Sequence, residues 1–340
     1  MYFYDFTKIK ELYFNNDLNY VTNLANIICE KNYGNKVFLR GLLEFSNECK
    51  MNCLYCGIRK DNAKLKRYSM KNKEILSIID ENYYRGFKTF ILQSGEFPEK
   101  KLKQICDLIY KIKNKYSDIA ITLSCGYFTK KELKLLKDSG VDRYLLRFEI
   151  ADEKIYSYLK NGIKLKNRIE MLYNLKELGF ETGSGFMVGL PEETDEVLLR
   201  NLKLCYDLNL DMIGIGPFIP NPDTPLGYFK NNPFETTIKL TALLRIMLPY
   251  SNIPATTASG TIIPDGRERL LKAGANVLMP NITPKKYKIN YLLYPNKICL
   301  NDTIDDCLKC LNARLNQIGK TICFDIGTSL NFKNKEYLCH

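Results

Sequence analysis

The sequence predicts an α/β fold, a (β/α)8 barrel of the TIM type, with helices leading into it and an extension following it. Three observations carry that expectation: eight short runs rich in apolar and β-branched residues, longer amphipathic stretches between them, and glycines where several of those stretches end. Parallel strands need long crossovers, and a sheet buried on both faces needs helices to cover it, so the alternation points to a closed barrel. A doubly wound open sheet is the alternative.

In chain order, amphipathic patterns over residues 6–14 and 17–32 predict two leading helices. Strands are expected at 37–45, 89–93, 119–124, 143–147, 181–188, 212–216, 253–257 and 276–279. Helical patterns lie between them at 71–84, 99–115, 130–138, 167–178, 195–208, 234–248 and 265–273, several stopped by Gly86, Gly140, Gly179 or Gly274. No low-complexity linker or short repeat interrupts the series. The expected division is a helical lead-in over 1–36, the barrel over 37–284, and an extension over 285–340 that closes the barrel.

Composition narrows the chemistry. With 340 residues and 45% hydrophobic content, the chain can bury a large core. Its formal charge of +12 is scattered rather than gathered into one stripe, which disfavours nucleic acid as a partner. The first twenty residues carry early acidic groups and no uninterrupted apolar core, so neither a signal peptide nor a membrane span is expected and the cytoplasm is the expected compartment. There, twelve cysteines point to metal rather than disulfides, and the one histidine, His340, nearly excludes histidine-based zinc or triad chemistry.

The strongest motif is FSNECKMNCLYCGIRK, which places Cys49, Cys53 and Cys56 in a C-x3-C-x2-C loop directly after the first strand. Three thiolates suit an iron-sulfur cluster, and three ligands for a 4Fe-4S cluster leave one iron open. A zinc knuckle would need a fourth Cys or His at fixed spacing, and none follows within thirty residues. With Tyr55 before the third cysteine, the loop resembles the signature of radical S-adenosylmethionine (SAM) enzymes. That resemblance implies a 4Fe-4S cluster whose open iron takes the amino and carboxylate groups of SAM, and an enzyme that produces a 5'-deoxyadenosyl radical.

Other segments are similar to the same family. Gln93, Ser94, Gly95 and Glu96 stand where the family meets the methionine amine, with Ser94 replacing a glycine. The run from Gly185 to Glu192 matches a G-x-I-x-G-x-x-E pattern with Met187 for isoleucine, and Glu149 matches the carboxylate that binds the ribose hydroxyls. Ser124, Arg168, Tyr55, Tyr291 and Tyr294 complete the set that the resemblance places near SAM. Taken singly, the glycines could serve tight turns, Glu149 could be a surface acid, and the tyrosines could be packing.

Longer stretches, LQSGE, DRYLLRFE, ETGSGFMVGLP, DMIGIGPFIPNPDTPL and NIPATTASGTIIPDGRE, look like the FeFe-hydrogenase maturase family HydE over residues 37–310. The resemblance implies radical chemistry on an iron-carbonyl-cyanide-cysteine precursor during H-cluster assembly. It also implies a small organometallic substrate supplied by HydG, transient contact with HydG- and HydF-type maturases, and a reductant such as flavodoxin or ferredoxin. For the substrate or anion cavity it points to Ser94, Thr122, Arg143, Arg147, Thr256, Thr257 and Met279. An arginine inside a barrel can equally be held in a buried ion pair, and Thr256 and Thr257 can be ordinary strand residues.

Cys299, Cys307 and Cys310 form a C-x7-C-x2-C spacing that some members of the family use for a second cluster, 2Fe-2S or 4Fe-4S. Cys29, Cys106, Cys205, Cys323 and Cys339 read as structural thiols, and Cys125 is left open. One departure stands out: Phe148 occupies a position where the family often has histidine. The rival readings are a methylornithine synthase (PylB), a more distant biotin synthase, and a non-catalytic iron-sulfur scaffold or electron-transfer protein.

Overall fold

The structure, a computed structural model, describes residues 5–15, 17–96 and 101–338. Two helices lead in, α1 (Phe6–Asn15) and α2 (Leu18–Tyr33), followed by β1 (Lys36–Leu39) and β2 (Gly41–Ser46), two halves of one edge parted at Arg40. Next come α3 (Asn72–Tyr84), β3 (Thr89–Ser94), α4 (Leu102–Lys115), β4 (Ala120–Ser124), α5 (Lys130–Asp138) and β5 (Arg143–Leu145). A helix pair, α6 (Glu153–Leu159) and α7 (Leu165–Glu177), precedes β6 (Glu181–Ser184), β7 (Met187–Val188) and α8 (Asp195–Asp207). Then follow β8 (Met212–Ile213), β9 (Gly216–Pro217), α9 (Phe234–Met247), α10 (Thr257–Ile262), α11 (Gly266–Lys272) and β10 (Val277–Leu278). The extension holds α12 (Lys285–Lys288), α13 (Ile304–Gln317), β11 (Thr321–Cys323) and α14 (Leu330–Leu338).

The parallel sheet runs β2-β3-β4-β5-β6-β8, and a second runs β10-β1-β11. Parallel bridges Met212 to Asn252, Pro254 to Val277 and Leu42 to Asn281 join the two. The sheet thereby closes on itself as a barrel, with every covering helix outside it. The seventh strand is thinner than the run 253–257 suggests. Pro254 has no N–H to give a ladder, and Thr256 already caps α10, so Thr257 is helical. The expected strand 181–188 divides at Gly185, whose φ of 147° and approach to Gly214 leave no room for a Cβ. Helices α6, α10, α12, α13 and α14 and strand β11 were not anticipated by periodicity. Of the helix expected at 99–115, residues 99 and 100 lie outside the described residues, as do Cys339 and His340.

The N-terminal end of the barrel is plugged by residues 326–329. Thr89 Oγ1 and Arg143 Nη2 donate to the Ile326 carbonyl at 2.8 and 3.0 Å, and Arg40 and Asn252 donate to that of Gly327. Glu181 accepts from the Ser329 amide at 3.0 Å and pairs with Arg143 Nε. Both charged side chains are almost fully buried. Among the described residues no helix is long and apolar enough to cross a membrane.

This pair gives a stability prediction. Arg143→Ala leaves Glu181 as a buried unpaired charge and should cost about 3–5 kcal/mol, whereas Arg143→Met with Glu181→Leu should recover much of the loss. Urea unfolding checks it, and a single variant within about 1 kcal/mol of wild type, the scale of an exposed pair, would contradict it.

Candidate active site

Leaving β2 at Asn47, the chain forms the cysteine loop at the C-terminal end of the barrel, where this architecture exposes its strand-end residues. Arg67 holds the loop by donating to the carbonyls of Asn47 (2.7 Å), Ile58 (2.9 Å) and Lys60 (3.2 Å). Asn47, fully buried, donates to the Lys66 and Asn290 carbonyls. Two glycines are required by close approach. A Cβ on Gly57 would lie 1.9 Å from the Leu292 carbonyl oxygen, and one on Gly95 would lie 2.3 Å from that of Glu48 and 2.5 Å from Cys49 Cβ.

Cys49, Cys53 and Cys56 are free thiols that line one cavity of ≈ 370 Å³. Cys49 Sγ accepts from the amides of Met51 (3.4 Å) and Glu96 (3.2 Å). Burial pushes the Cys49 and Cys56 thiols up, so an electropositive iron-sulfur cluster that takes them as thiolates suits this apolar setting. Among the described residues no three His, Cys, Asp or Glu side chains converge on one metal ion.

Beyond the cysteines, the cavity brings together most of the expected residues. Tyr55, Gln93, Ser94, Gly95, Glu96, Ser124, Glu149, Arg168, Met187, Tyr291 and Tyr294 all line it. Arg168 Nη2 lies 3.7 Å from Glu96 Oε2, and its Nε donates to Tyr156 Oη at 3.1 Å. Burial works against the Arg168 charge, but Tyr156 and Glu96 outweigh it. Gln93 Nε2 donates to Tyr291 Oη at 3.2 Å, and Ser94 Oγ to the Gly95 carbonyl at 2.6 Å. Glu149 projects from a left-handed backbone, φ 67°, a conformation costly for a side-chain-bearing residue and found where a site dictates it.

Thr122, Arg147, Thr256, Thr257 and Met279 line the same cavity. Arg147 Nε is 3.2 Å from Glu149 Oε2, yet the groups are misaligned for a hydrogen bond; Arg147 Nη2 and Thr122 Oγ1 are buried with no partner. Thr256 Oγ1 lies 3.2 Å from Ser259 Oγ. Arg143 departs from the expected set. It does not line the cavity, because its position at the start of β5 puts it at the opposite barrel end, spent on Glu181, Thr89, Ile326 and Thr328.

Several lining residues gave no sequence signal. Arg40 is buried beneath the cavity with Nε unpartnered, and burial followed by repulsion from Arg143 pushes it down to about 9. Glu44 and Lys297 form a buried ion pair tying the extension to β2, with Glu44 also accepting from Asn281. Lys160, at the end of α6, has its Nζ 3.5 Å from Cys53 Sγ.

Other residues singled out in the sequence lie outside the cavity. Phe148 stacks on Phe186 in the core, 5.9 Å between ring centroids. Cys125 is buried, 3.8 Å from the Leu92 carbonyl. In the G-x-I-x-G-x-x-E run, Glu192 is exposed, whereas its neighbour Glu193 accepts from the Gly189 amide at 2.7 Å. Cys29, Cys205 and Cys323 are buried and Cys106 partly so. Cys299 and Cys307 hydrogen-bond, which lowers the Cys299 thiol to about 7 and raises that of Cys307; Cys310, one turn further along α13, is exposed.

The pattern of the Radical SAM superfamily matches residues 43–205, which span the cysteine loop and the first five barrel strands. The FeFe hydrogenase maturase subunit HydE of Thermotoga maritima is 46% identical over 297 residues, 87% of this chain and 85% of that protein. This chain is a radical SAM enzyme of the HydE family. The crystal structure of methylornithine synthase (PylB) superposes with a TM-score of 0.80 at 23% identity over 94% of each chain. That of HydG, a maturase of the FeFe-hydrogenase, gives 0.82 at 20% identity over 98% of this chain and 77% of that one. At such identities these two likenesses concern the fold alone. Membership of the HydE family implies a 4Fe-4S cluster and SAM, and the donor set of the cysteine loop fits them.

Because Gly95 touches the cysteine loop, Gly95→Ala should leave the barrel folded but cut the iron bound after anaerobic reconstitution severalfold. Iron and sulfide content with circular dichroism tests this; full loading would show that the loop can yield.

Proposed function

We propose that this HydE-family enzyme uses SAM to act by radical chemistry on a small anionic organometallic precursor, of the iron-carbonyl-cyanide-cysteine kind, in assembly of the FeFe-hydrogenase diiron site. When bound, the cluster supplies the electron that cleaves SAM to a 5'-deoxyadenosyl radical. Cys49, Cys53 and Cys56 would hold the cluster. Glu96 and Arg168, opposite charges 3.7 Å apart, suit the amino and carboxylate groups of SAM, while Glu149 suits its ribose hydroxyls. Tyr55, Gln93, Ser94, Gly95, Ser124, Met187, Tyr291 and Tyr294 would surround the remainder.

The observation that carries the substrate reading is the pair of unpartnered polar groups, Arg147 Nη2 and Thr122 Oγ1. A buried donor without an acceptor is costly, and an anion would satisfy both while Thr256, Thr257 and Met279 shape its surroundings. Enclosure by the barrel keeps water from a radical. A cytoplasmic setting, supply of substrate by HydG, contact with HydF-type maturases and reduction by flavodoxin or ferredoxin belong to the same reading. Cys299, Cys307 and Cys310 form a candidate accessory cluster site, supported by the contact of the first two thiols.

Two predictions separate these roles. In reconstituted protein, Cys53→Ala should reduce 5'-deoxyadenosine formation to background, whereas Cys307→Ala should retain most of it; equal losses would remove the accessory role. Arg147→Ala deletes a charged hydrogen-bond donor of about 1.5–3 kcal/mol and should lower hydrogenase maturation roughly ten-fold or more. SAM affinity should change much less, and the opposite order would overturn the cavity assignment.

A further inference from the structure

Lys160 is a buried cation of the cavity lining that the proposed chemistry leaves unused. It is only 6% exposed, and among the described residues no carboxylate lies within ion-pair distance of its Nζ; Glu149 lies against Arg147 and Glu96 against Arg168. Its nearest polar contact is Cys53 Sγ at 3.5 Å, with the Tyr55 ring centroid 5.2 Å away. The electrostatic neighbours are Cys53, Arg168, Glu149 and Tyr156.

A neutral thiol is a weak acceptor and a poor reason to bury an ammonium group. A sulfur carrying negative charge is a good one. The contact is also held from the backbone: the Leu54 amide donates to the Leu159 carbonyl at 3.0 Å and the Lys160 amide to that of Tyr156 at 2.9 Å, so the cysteine loop and the end of α6 are locked in register. Cys49 receives two neutral backbone donors; Cys53 receives a cation.

We infer that Lys160 is a redox-tuning residue, a fixed positive charge against Cys53 that makes the cluster held by Cys49, Cys53 and Cys56 easier to reduce. The inference rests on the reading of those cysteines as cluster ligands. An added electron increases negative charge on the cluster and its sulfurs, and in a low-dielectric site a nearby cation favours the reduced form over the oxidised one. Lys160 touches no reacting atom and acts through Cys53, as outer-shell partners of metal ligands do.

The test compares full-length wild type with Lys160→Met, Lys160→Gln and Lys160→Arg, each reconstituted anaerobically, poised at a series of potentials and read by low-temperature EPR. At the wild-type midpoint the two neutral variants should show a reduced-to-oxidised ratio lowered about ten-fold, equivalent to about 59 mV for a one-electron couple, with the Arg variant near wild type. Unchanged ratios in neutral variants with full iron and sulfide would overturn the inference, as would an Arg variant displaced as far as they are. Where neutral variants load no cluster, an Arg variant that loads and titrates like wild type supports a required charge, and one that also fails to load assigns the residue to packing and overturns it. A wild-type protein that takes up no cluster defeats the cysteine-site reading itself, a result seen before any variant is compared.

Discussion

The buried pair of Arg143 and Glu181 is the interaction on which the rest of the barrel depends. Several barrel strands are only two or three residues long, so ladder hydrogen bonds alone give them little purchase. At the N-terminal end, Arg143 and Glu181 bind adjacent strands to one another and both reach the segment 326–329, which Arg40, Thr89 and Asn252 also hold. Two charges in such a place are tolerated only because nearly every donor and acceptor is matched. Closing that end leaves the other free to open into the cavity.

At the open end the same physics runs in reverse. The polar groups there are matched incompletely: Arg147 meets Glu149 without alignment, Thr122 has no partner, and Glu149 sits on a strained backbone. Such residues cost stability unless a ligand completes them. The extension contributes as well. Glu44 with Lys297, and Gly57 against Leu292, draw Tyr291 and Tyr294 over the cysteine loop from a distant part of the chain.

How much of this was legible depended on range. The cysteine loop could be read because its three cysteines lie within eight residues and their chemistry is carried by residue type. Helices α3, α5, α7, α8, α9 and α11 were visible because their apolar faces repeat every three to four residues. Strand seven was overextended because a proline and a helix start hide inside an apolar run. Helix α13 went unseen because its apolar face is narrow and interleaved with Asp305, Asp306 and Arg314.

By itself, the sequence determined the barrel class, the three-cysteine motif and the family, since each rests on local spacing or on long stretches of matching residues. Only the tertiary structure decided between Arg143 and Arg147. Both arginines lie on the same expected strand, four residues apart, and nothing local distinguishes them. Closure of the barrel puts one beside Glu181 and the plug, where its charge is consumed, and leaves the other facing the cavity with a donor unspent. The same holds for Lys160, whose meaning comes from a cysteine 107 residues away.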